Sequence, residues 1–239
     1  MDLRGVILAG GTGSRLRPLT KVTNKHLLPV GQKPMIYYPI EKLTSIGIDQ
    51  ILIVTGVEYM GDVVGLLGSG REFGCQFTYR VQDEAGGIAQ ALGLAENFAQ
   101  RLVVILGDNI FHANLKSYAD KFISQKTGAR ILLKQVPNPQ RFGVAQIFNG
   151  KIVGIDEKPK KPKSNYAVTG IYFYDASVFD IIRTLKPSAR SELEISDVNN
   201  AYIAKGLLAY DILDGWWSDA GTFESLSKAN ELVAKEPPQ

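Results

Sequence analysis

Hydrophobic runs alternate with amphipathic segments through the first half of the chain. Short apolar runs are typical of buried strands, and apolar residues spaced three or four apart are typical of helices with one buried face. The predicted strands are Gly5 to Ala9, Gln50 to Thr55, Gln76 to Val81, Leu102 to Leu106 and Ala129 to Val136. Helices are predicted between strands at Pro34 to Gly47 and at Leu115 to Ile123. This alternation predicts an α/β fold with a Rossmann-like, mainly parallel sheet flanked by helices.

The pattern changes near residue 142, where shorter strands replace the long apolar runs. Val144 to Phe148 and Lys151 to Ile155 flank Asn149-Gly150, a pair typical of a type I′ hairpin turn. Later elements are predicted as a strand at Val168 to Tyr174 and helices at Ser177 to Leu185, Leu193 to Lys205 and about 222–234. We interpret residues 1–239 as one domain with the short strands inserted in its second half.

Composition narrows the classes of function. The 239 residues are 45% hydrophobic, and the net charge of +3 is too small and too scattered to indicate nucleic-acid binding. The single cysteine, Cys75, excludes an intrachain disulfide. We find neither a signal peptide nor an apolar run of the ~20 residues that a membrane helix needs. We therefore expect a cytoplasmic protein that does not bind membranes, with no further domain after the last helix.

A glycine-rich loop follows the first predicted strand. Gly10-Gly11-Thr12-Gly13 lets the backbone turn tightly and brings its N–H groups close to an anion, while Arg15, Arg17 and Lys25 add positive charge. The loop matches neither the dinucleotide pattern, because Leu16 stands where a third glycine is required, nor the P-loop pattern. It predicts a phosphate site, and an ordinary glycine-rich turn is the alternative.

Two aspartates are candidate metal ligands. Asp108 directly follows the predicted strand Leu102 to Leu106, and Asp219 precedes the last helix. Mg²⁺ needs only one or two protein carboxylates, since water and phosphate complete its coordination shell. The alternatives are a turn residue for Asp108 and a helix cap for Asp219. The two histidines, His26 and His112, have no zinc-binding spacing.

Glu157-Lys158 and Arg190 are candidates for binding a phosphorylated sugar. A carboxylate can accept hydrogen bonds from sugar hydroxyls, and a guanidinium at a helix entry can bind phosphate through two N–H groups. Lys160, Lys161 and Lys163 lie nearby, so a solvated lysine-rich loop is the alternative for Lys158.

Taken in order along the chain, these motifs resemble the sugar-1-phosphate nucleotidylyltransferases. The motifs are Gly10 to Gly13, Lys25, Val81-Gln82, Gly107-Asp108-Asn109, Glu157-Lys158-Pro159 and Trp217 to Thr222. Longer similar stretches are Leu27 to Val30, Lys33 to Tyr38 and Ser164 to Gly170. The likeness spans essentially the whole chain and is greatest to the short members that use dTTP and glucose-1-phosphate.

The resemblance implies a Mg²⁺-dependent enzyme in which a sugar-1-phosphate attacks the α-phosphorus of a nucleoside triphosphate. It implies catalytic roles for Arg15 and Lys25 and metal ligation by Asp108 and Asp219. The implied nucleotide-binding residues, in a part of about 1–136, are Leu8, Gly10, Gly11, Gly13, Arg15, Lys25, Gln82 and Gly87. The implied sugar-phosphate-binding residues are Asn109, Gly143, Glu157, Lys158, Val168, Tyr172 and Arg190, mostly in a part of about 137–222. Homo-oligomerisation is expected on the same ground.

Three positions depart from the family pattern. His26 replaces a frequent glutamine, Phe142 a frequent tyrosine and Ser191 a frequent glycine. Uridylyl transfer stays open, because the amide of Gln82 can bond both uracil and thymine. A catalytically silent sugar-phosphate-binding domain is a second alternative, although it would be expected to have lost a catalytic residue. A glycosyltransferase is disfavoured because Asp108-Asn109-Ile110 lacks the second carboxylate of an Asp-x-Asp motif.

Overall fold

Thirteen strands and seven α-helices occur in residues 3–238, the part of the chain that the computed structural model describes. The strands are β1 (Leu3–Ala9), β2 (Pro29–Val30), β3 (Lys33–Pro34), β4 (Gln50–Gly56), β5 (Gln76–Gln82), β6 (Arg101–Leu106), β7 (Ile110–Phe111), β8 (Ala129–Gln135), β9 (Gly143–Phe148), β10 (Lys151–Glu157), β11 (Tyr166–Asp175), β12 (Leu208–Ile212) and β13 (Trp217–Ser218). The helices are α1 (Tyr37–Thr44), α2 (Met60–Leu67), α3 (Ile88–Gly93), α4 (Lys116–Ser124), α5 (Ser177–Thr184), α6 (Ile195–Ala204) and α7 (Phe223–Lys235).

Four parallel strands form one half of the main sheet, in the order β6-β1-β4-β5. The apolar runs of β1, β4 and β6 are buried on both faces because helices cover both sides of the sheet, whereas β5 at the edge is partly exposed. Leu8 pairs with Val54 on one side and with Leu106 on the other, so β1 and its neighbours end at the same edge. The predicted α/β fold with a parallel sheet is confirmed.

The other half of the sheet is organised by β11, which runs antiparallel to β6, β8 and β9. Its register against β8 shifts between Val168 and Tyr172, and this bulge contains Gly170. The strand β8, predicted as one strand of a mainly parallel sheet, pairs antiparallel with β11 and parallel with β12. Long-range pairing of this kind leaves no periodic signal in the sequence.

The predicted hairpin in the second half is confirmed. Strands β9 and β10 pair antiparallel, and the turn residues Asn149 and Gly150 have φ angles of 49° and 72°. Positive φ at both central residues defines a type I′ turn. The hairpin joins the main sheet through one pair, Ala167 with Val144, which attaches it to β11.

Some elements differ from the prediction. Pro34 lies in the short strand β3, so the first helix begins later than predicted, at Tyr37. The helices α2 and α3 and the strand β12 were not predicted, because each is short and two of them contain or adjoin glycines that weaken a periodic pattern. Within residues 3–238 no helix is long and apolar enough to cross a membrane.

Candidate active site

A cavity of about 380 Å³ opens where the parallel strands end. The glycine loop leaves β1 and Gly107-Asp108 leaves β6 at neighbouring positions, since the N–H of Gly107 donates to the carbonyl of Leu8 at 2.9 Å. Ligand sites of α/β sheets lie at this edge, beyond the carboxyl ends of the strands. Residues from β9 to β11 and α6 form the opposite wall.

Most of the residues proposed from sequence line this one cavity. They are Leu8, Gly10, Gly11, Gly13, Arg15, Lys25, Gln82, Gly87, Asp108, Asn109, Gly143, Glu157, Lys158, Val168, Tyr172 and Asp219. Arg190 and Arg17 are not among the lining residues. The fold therefore brings together the glycine-rich loop, both aspartates and most of the residues predicted to bind the sugar phosphate.

The glycine loop is shaped by its own backbone. Gly13 has a φ of 64°, and a Cβ atom there would lie 2.8 Å from the Cγ2 of Thr20. The Thr20 hydroxyl donates to the carbonyl of Gly13 at 2.7 Å, and Leu16 is fully buried beneath the turn. The turn is thus anchored on both sides while Arg15 remains exposed above the cavity.

Lys25 and Asp108 form a close ion pair inside the cavity. Lys25 Nζ lies 2.5 Å from Asp108 Oδ2, and both side chains are mostly shielded from solvent. Burial acts to raise the pKa of Asp108, but the positive charge of Lys25 and hydrogen bonds from Lys25 and Asn109 outweigh burial and lower it. The Asp108 carboxylate is therefore ionised at neutral pH.

Asn109 holds the other oxygen of Asp108. Its Nδ2 donates to Asp108 Oδ1 at 3.0 Å, and its Oδ1 accepts from the Trp217 indole at 2.6 Å and from the N–H of Gly170 at 2.9 Å. The indole and the backbone N–H can only donate, so they fix the direction of the Asn109 amide. Within residues 3–238 the second N–H of that amide has no hydrogen-bond partner, so it can donate to a ligand.

A two-residue ladder carries Asp219 to the same place. Trp217 and Ser218 in β13 pair antiparallel with Phe111 and Ile110 in β7. Asp219 follows β13 and Asp108 lies two residues before β7, so the ladder brings the two aspartates to one end. Sequence separation alone could not show this meeting.

The pKa of Asp219 responds to the charge of Asp108, as expected if the two carboxylates lie in the same site. Burial raises its pKa and the charge of Asp108 raises it further, while Arg141 and Arg15 act in the opposite direction. Arg141 Nη2 lies 3.4 Å from Asp219 Oδ2. A Cβ atom on Gly221 would lie 3.3 Å from Arg15 Nη2 and 3.5 Å from Asp108 Oδ2, so the glycine allows these groups to approach.

This donor set fits Mg²⁺. Two carboxylates that raise each other's cost of ionisation are stabilised by a cation between them. Within residues 3–238 no group of three or more His, Cys, Asp or Glu side chains could hold a metal. Mg²⁺ suits such a site, since it is commonly bound by one or two carboxylates with water and substrate phosphate.

Residues predicted to bind the sugar phosphate form a second polar group in the cavity wall. Glu157 Oε2 accepts from the Ser196 hydroxyl at 2.5 Å, and a Cβ atom on Gly143 would lie 2.9 Å from the same hydroxyl oxygen. Lys158 has a φ of 43°, and its Nζ lies 3.7 Å from Glu157 Oε1. The wall thus offers a carboxylate with one oxygen already oriented, beside a partly exposed ammonium.

Arg190 is held by carboxylates beside the cavity. Its Nη2 lies 2.7 Å from Glu194, 3.1 Å from Glu192 and 3.4 Å from Glu157. The hydrogen bond to Glu194 contributes most to raising the Arg190 pKa, so the guanidinium stays charged. Binding of sugar phosphate by Arg190 stays a prediction, and it would require these contacts to be exchanged.

His26 is buried at the rear of the site. Its Nδ1 lies 2.7 Å from Asn24 Oδ1, which also accepts from the His26 backbone N–H at 2.9 Å. Burial, with the charge of Lys25, lowers the pKa of His26 to about 3. The ring is therefore neutral, with Nδ1 donating to Asn24.

Several lining residues were not assigned a role from the sequence. They are Thr12, Ser14, His26, Ala85, Ile88, Ala91, Leu106, Arg141, Phe142, Gly170, Glu192, Ile195, Ser196, Trp217 and Gly221. Many adjoin a proposed residue, so proximity in sequence could have found them. Arg141 and Ser196 belong to no motif, and the fold alone reveals them.

Comparison with known proteins gives consistent matches. The family model described as "Nucleotidyl transferase" matches residues 4–236. A glucose-1-phosphate thymidylyltransferase of Neisseria meningitidis is 46% identical over 237 residues, covering 97% of this chain and 82% of the relative. The enzyme of the same name from Mycolicibacterium smegmatis is 43% identical over 236 residues, with the same coverage.

Two solved structures share the fold. A protein from Bacillus anthracis, crystallised with sucrose and provisionally assigned as a glucose-1-phosphate thymidylyltransferase, is 62% identical with a TM-score of 0.94, covering 97% of this chain and 95% of the other. A UDP-glucose pyrophosphorylase in complex with UDP-glucose is 24% identical with a TM-score of 0.86, covering 98% and 99%. The second likeness concerns the fold alone.

Proposed function

Because the chain belongs to the nucleotidyl transferase family, we propose that it transfers the thymidylyl group of dTTP to glucose-1-phosphate, giving dTDP-glucose and pyrophosphate. The observation that carries this proposal is the single cavity in which Arg15, Lys25, Asp108 and Asp219 meet Lys158. The two relatives at 43% and 46% identity are named for this activity, which supports the choice of substrates.

The reaction is a direct displacement at phosphorus. An oxygen of the sugar phosphate attacks the α-phosphorus of the triphosphate, the new P–O bond forms, and the bond to the leaving pyrophosphate breaks on the opposite side. The attacking phosphate is already ionised at neutral pH, so the step needs positioning and charge neutralisation more than a protein base. No covalent intermediate with the enzyme is required.

Arg15 and Lys25 act on the triphosphate. Arg15 stands exposed above the glycine loop, where its guanidinium can bind two phosphate oxygens. Lys25 uses one of its three N–H donors on Asp108, which leaves two for phosphate oxygens. Fixed positive charge in a shielded site stabilises the charge that develops on the leaving pyrophosphate.

Asp108 and Asp219 would hold the metal ion. Mg²⁺, when bound, supplies Lewis-acid neutralisation of phosphate charge. Asp108 is suited to this role because both of its oxygens are oriented, one by Lys25 and one by Asn109. On the sugar side, Glu157 would accept hydrogen bonds from glucose hydroxyls, and Lys158 would bind the sugar phosphate.

A nucleotide panel tests the proposal. Pyrophosphate release is measured with Mg²⁺, glucose-1-phosphate and, in turn, dTTP, UTP, CTP, ATP and GTP. We expect the highest kcat/KM with dTTP. A higher value with UTP would replace thymidylyl with uridylyl transfer, and no release with any nucleotide would overturn the proposed enzyme activity.

A further inference from the structure

Two glutamine side chains lie in contact beside the cavity. Gln82 is the last residue of β5, and Gln90 lies in α3. Gln82 Nε2 donates to Gln90 Oε1 at 2.8 Å and to the carbonyl of Gly87 at 3.3 Å. The phosphate, metal and sugar roles described above use neither of these hydrogen bonds.

The direction of both amides is set by a backbone group. The N–H of Gly86 donates to Gln90 Oε1 at 2.9 Å. A backbone N–H can only donate, so the oxygen of Gln90 must face it. The same oxygen faces Gln82, so the nitrogen of Gln82 must point towards Gln90. The carbonyl oxygen of Gln82 is then directed away, towards the glycine loop.

Two glycines make room for this pair. A Cβ atom on Gly86 would lie 2.4 Å from Cδ of Gln90, and a Cβ atom on Gly10 would lie 2.4 Å from Oε1 of Gln82. Gly10 and Gln82 both line the cavity. In the described residues 3–238, the hydrogen bonds of the Gln82 side chain are donated by Nε2, which leaves Oε1 as an acceptor for a ligand.

We propose that Gln90 is a positioning residue that fixes Gln82 with its carbonyl oxygen towards the nucleotide base. Where that oxygen faces position 3 of the ring, the site favours thymine and uracil, whose N3 carries a hydrogen, over cytosine, whose N3 is an acceptor. This inference rests on the proposed function, because that function places a pyrimidine nucleotide in the cavity. It assigns the selection to a residue that need not touch the base.

The test measures affinity, so that it does not depend on turnover. The Kd values of dTTP and dCTP are measured by isothermal titration calorimetry for the wild-type protein and for Gln90→Met, which keeps the side-chain length and removes the acceptor. We expect wild-type protein to prefer dTTP and Gln90→Met to lower that preference about tenfold, because Gln82 can then turn its nitrogen to the base.

Two further variants separate positioning from general damage. Gln90→Glu keeps an oxygen for both Gly86 and Gln82, so it should retain the wild-type preference. Gly86→Ala places a methyl group against the Gln90 carboxamide, so it should displace Gln90 and lower the preference as Gln90→Met does. The backbone of Gly86 is outside the left-handed region, so alanine adds no backbone strain there. Thermal unfolding of each variant checks that the fold is kept, and Gly86→Ala provides the result if Gln90→Met does not fold.

The possible results divide clearly. A preference that falls threefold or more in Gln90→Met and is retained in Gln90→Glu supports the proposal. A change of less than threefold in Gln90→Met, or an equal loss in Gln90→Glu, overturns it. Absence of turnover in the nucleotide panel would reject the proposed enzyme activity. The Kd values would still test the role of Gln90, because they do not depend on turnover.

Discussion

At the scale of single residues, Asp108 and Asp219 place two negative charges in one cavity. Burial and the charge of Asp108 raise the pKa of Asp219, so the two ionised carboxylates repel each other in the metal-free protein. A bound cation relieves that repulsion. Activity and stability should therefore respond in opposite directions when one carboxylate is neutralised.

We expect Asp219→Asn to lower kcat/KM about hundredfold or more at limiting Mg²⁺, because a metal ligand is lost. In the absence of metal the variant should unfold at the same or a higher urea concentration than wild type. Pyrophosphate release and urea titration measure the two effects. Asp83→Asn, at an exposed carboxylate outside the cavity lining, is the matched control. Near-normal activity of Asp219→Asn at limiting Mg²⁺ would show that Asp219 is not a metal ligand.

His26 gives a prediction on pH. Its folded pKa of about 3 lies below the ordinary value of 6.5, so only the unfolded chain binds a proton there as pH falls below 6.5. The free energy of unfolding therefore decreases with falling pH in that range, by about 1.4 kcal/mol per pH unit from this residue. This contribution is fully present above pH 6.5 and is lost progressively down to about pH 3.

Between pH 7 and pH 5, wild-type protein should lose about 2 kcal/mol more free energy of unfolding than His26→Gln. Urea titrations at both pH values, in the presence of a chelator, give the comparison. The glutamine variant is chosen because it can still bond Asn24 without titrating. An identical pH dependence in the two proteins would mean that His26 is protonated in the folded state near its ordinary pKa.

At the scale of elements, the short ladder between β7 and β13 closes the site. It places Trp217 so that its indole N–H donates to Asn109, which in turn holds Asp108. Groups that orient metal ligands commonly change metal affinity 10- to 100-fold when they are removed. The contribution of β13 to the site is therefore the orientation of Asp108 as well as the supply of Asp219.

Trp217→Phe should raise the Mg²⁺ concentration needed for half-maximal activity about tenfold, because Asn109 loses one of its two fixed donors. A Mg²⁺ titration of pyrophosphate release measures this change. Trp216→Phe is the control, since the Trp216 indole donates instead to the carbonyl of Glu236 at 2.9 Å. Equal Mg²⁺ dependence in both variants would indicate that the Trp217 hydrogen bond has no effect on the metal site.

At the scale of the whole molecule, the first half of the site could be predicted from the sequence because it depends on strand order. Parallel strands have their carboxyl ends at one edge of the sheet, so a loop that follows β1 and an aspartate that follows β6 both lie at that edge. The position of Asp219 was harder to predict, because the two residue pairs of the β7–β13 ladder, which bring it beside Asp108, leave no pattern in the sequence. Of the three carboxylates around Arg190, Glu192 and Glu194 lie two and four residues after it, whereas Glu157 comes from β10, and no motif in the sequence signals that contact.

The assembly of the protein stays a prediction that rests on family resemblance. We expect self-association in solution, and analytical ultracentrifugation of the purified chain would measure it. The lining residues of the cavity all come from one chain, so the proposed nucleotidyl transfer does not require a second subunit to complete the cavity.

In the proposed reaction, a phosphate oxygen of the sugar phosphate attacks the nucleotide within this cavity. The reaction can be followed by supplying glucose-1-phosphate with ¹⁸O in its non-bridging phosphate oxygens, together with dTTP and Mg²⁺, and analysing the products by mass spectrometry. We predict that all of the label appears in dTDP-glucose and none in pyrophosphate. Labelled pyrophosphate, release of labelled inorganic phosphate, or the absence of a nucleotide sugar would rule out this attack.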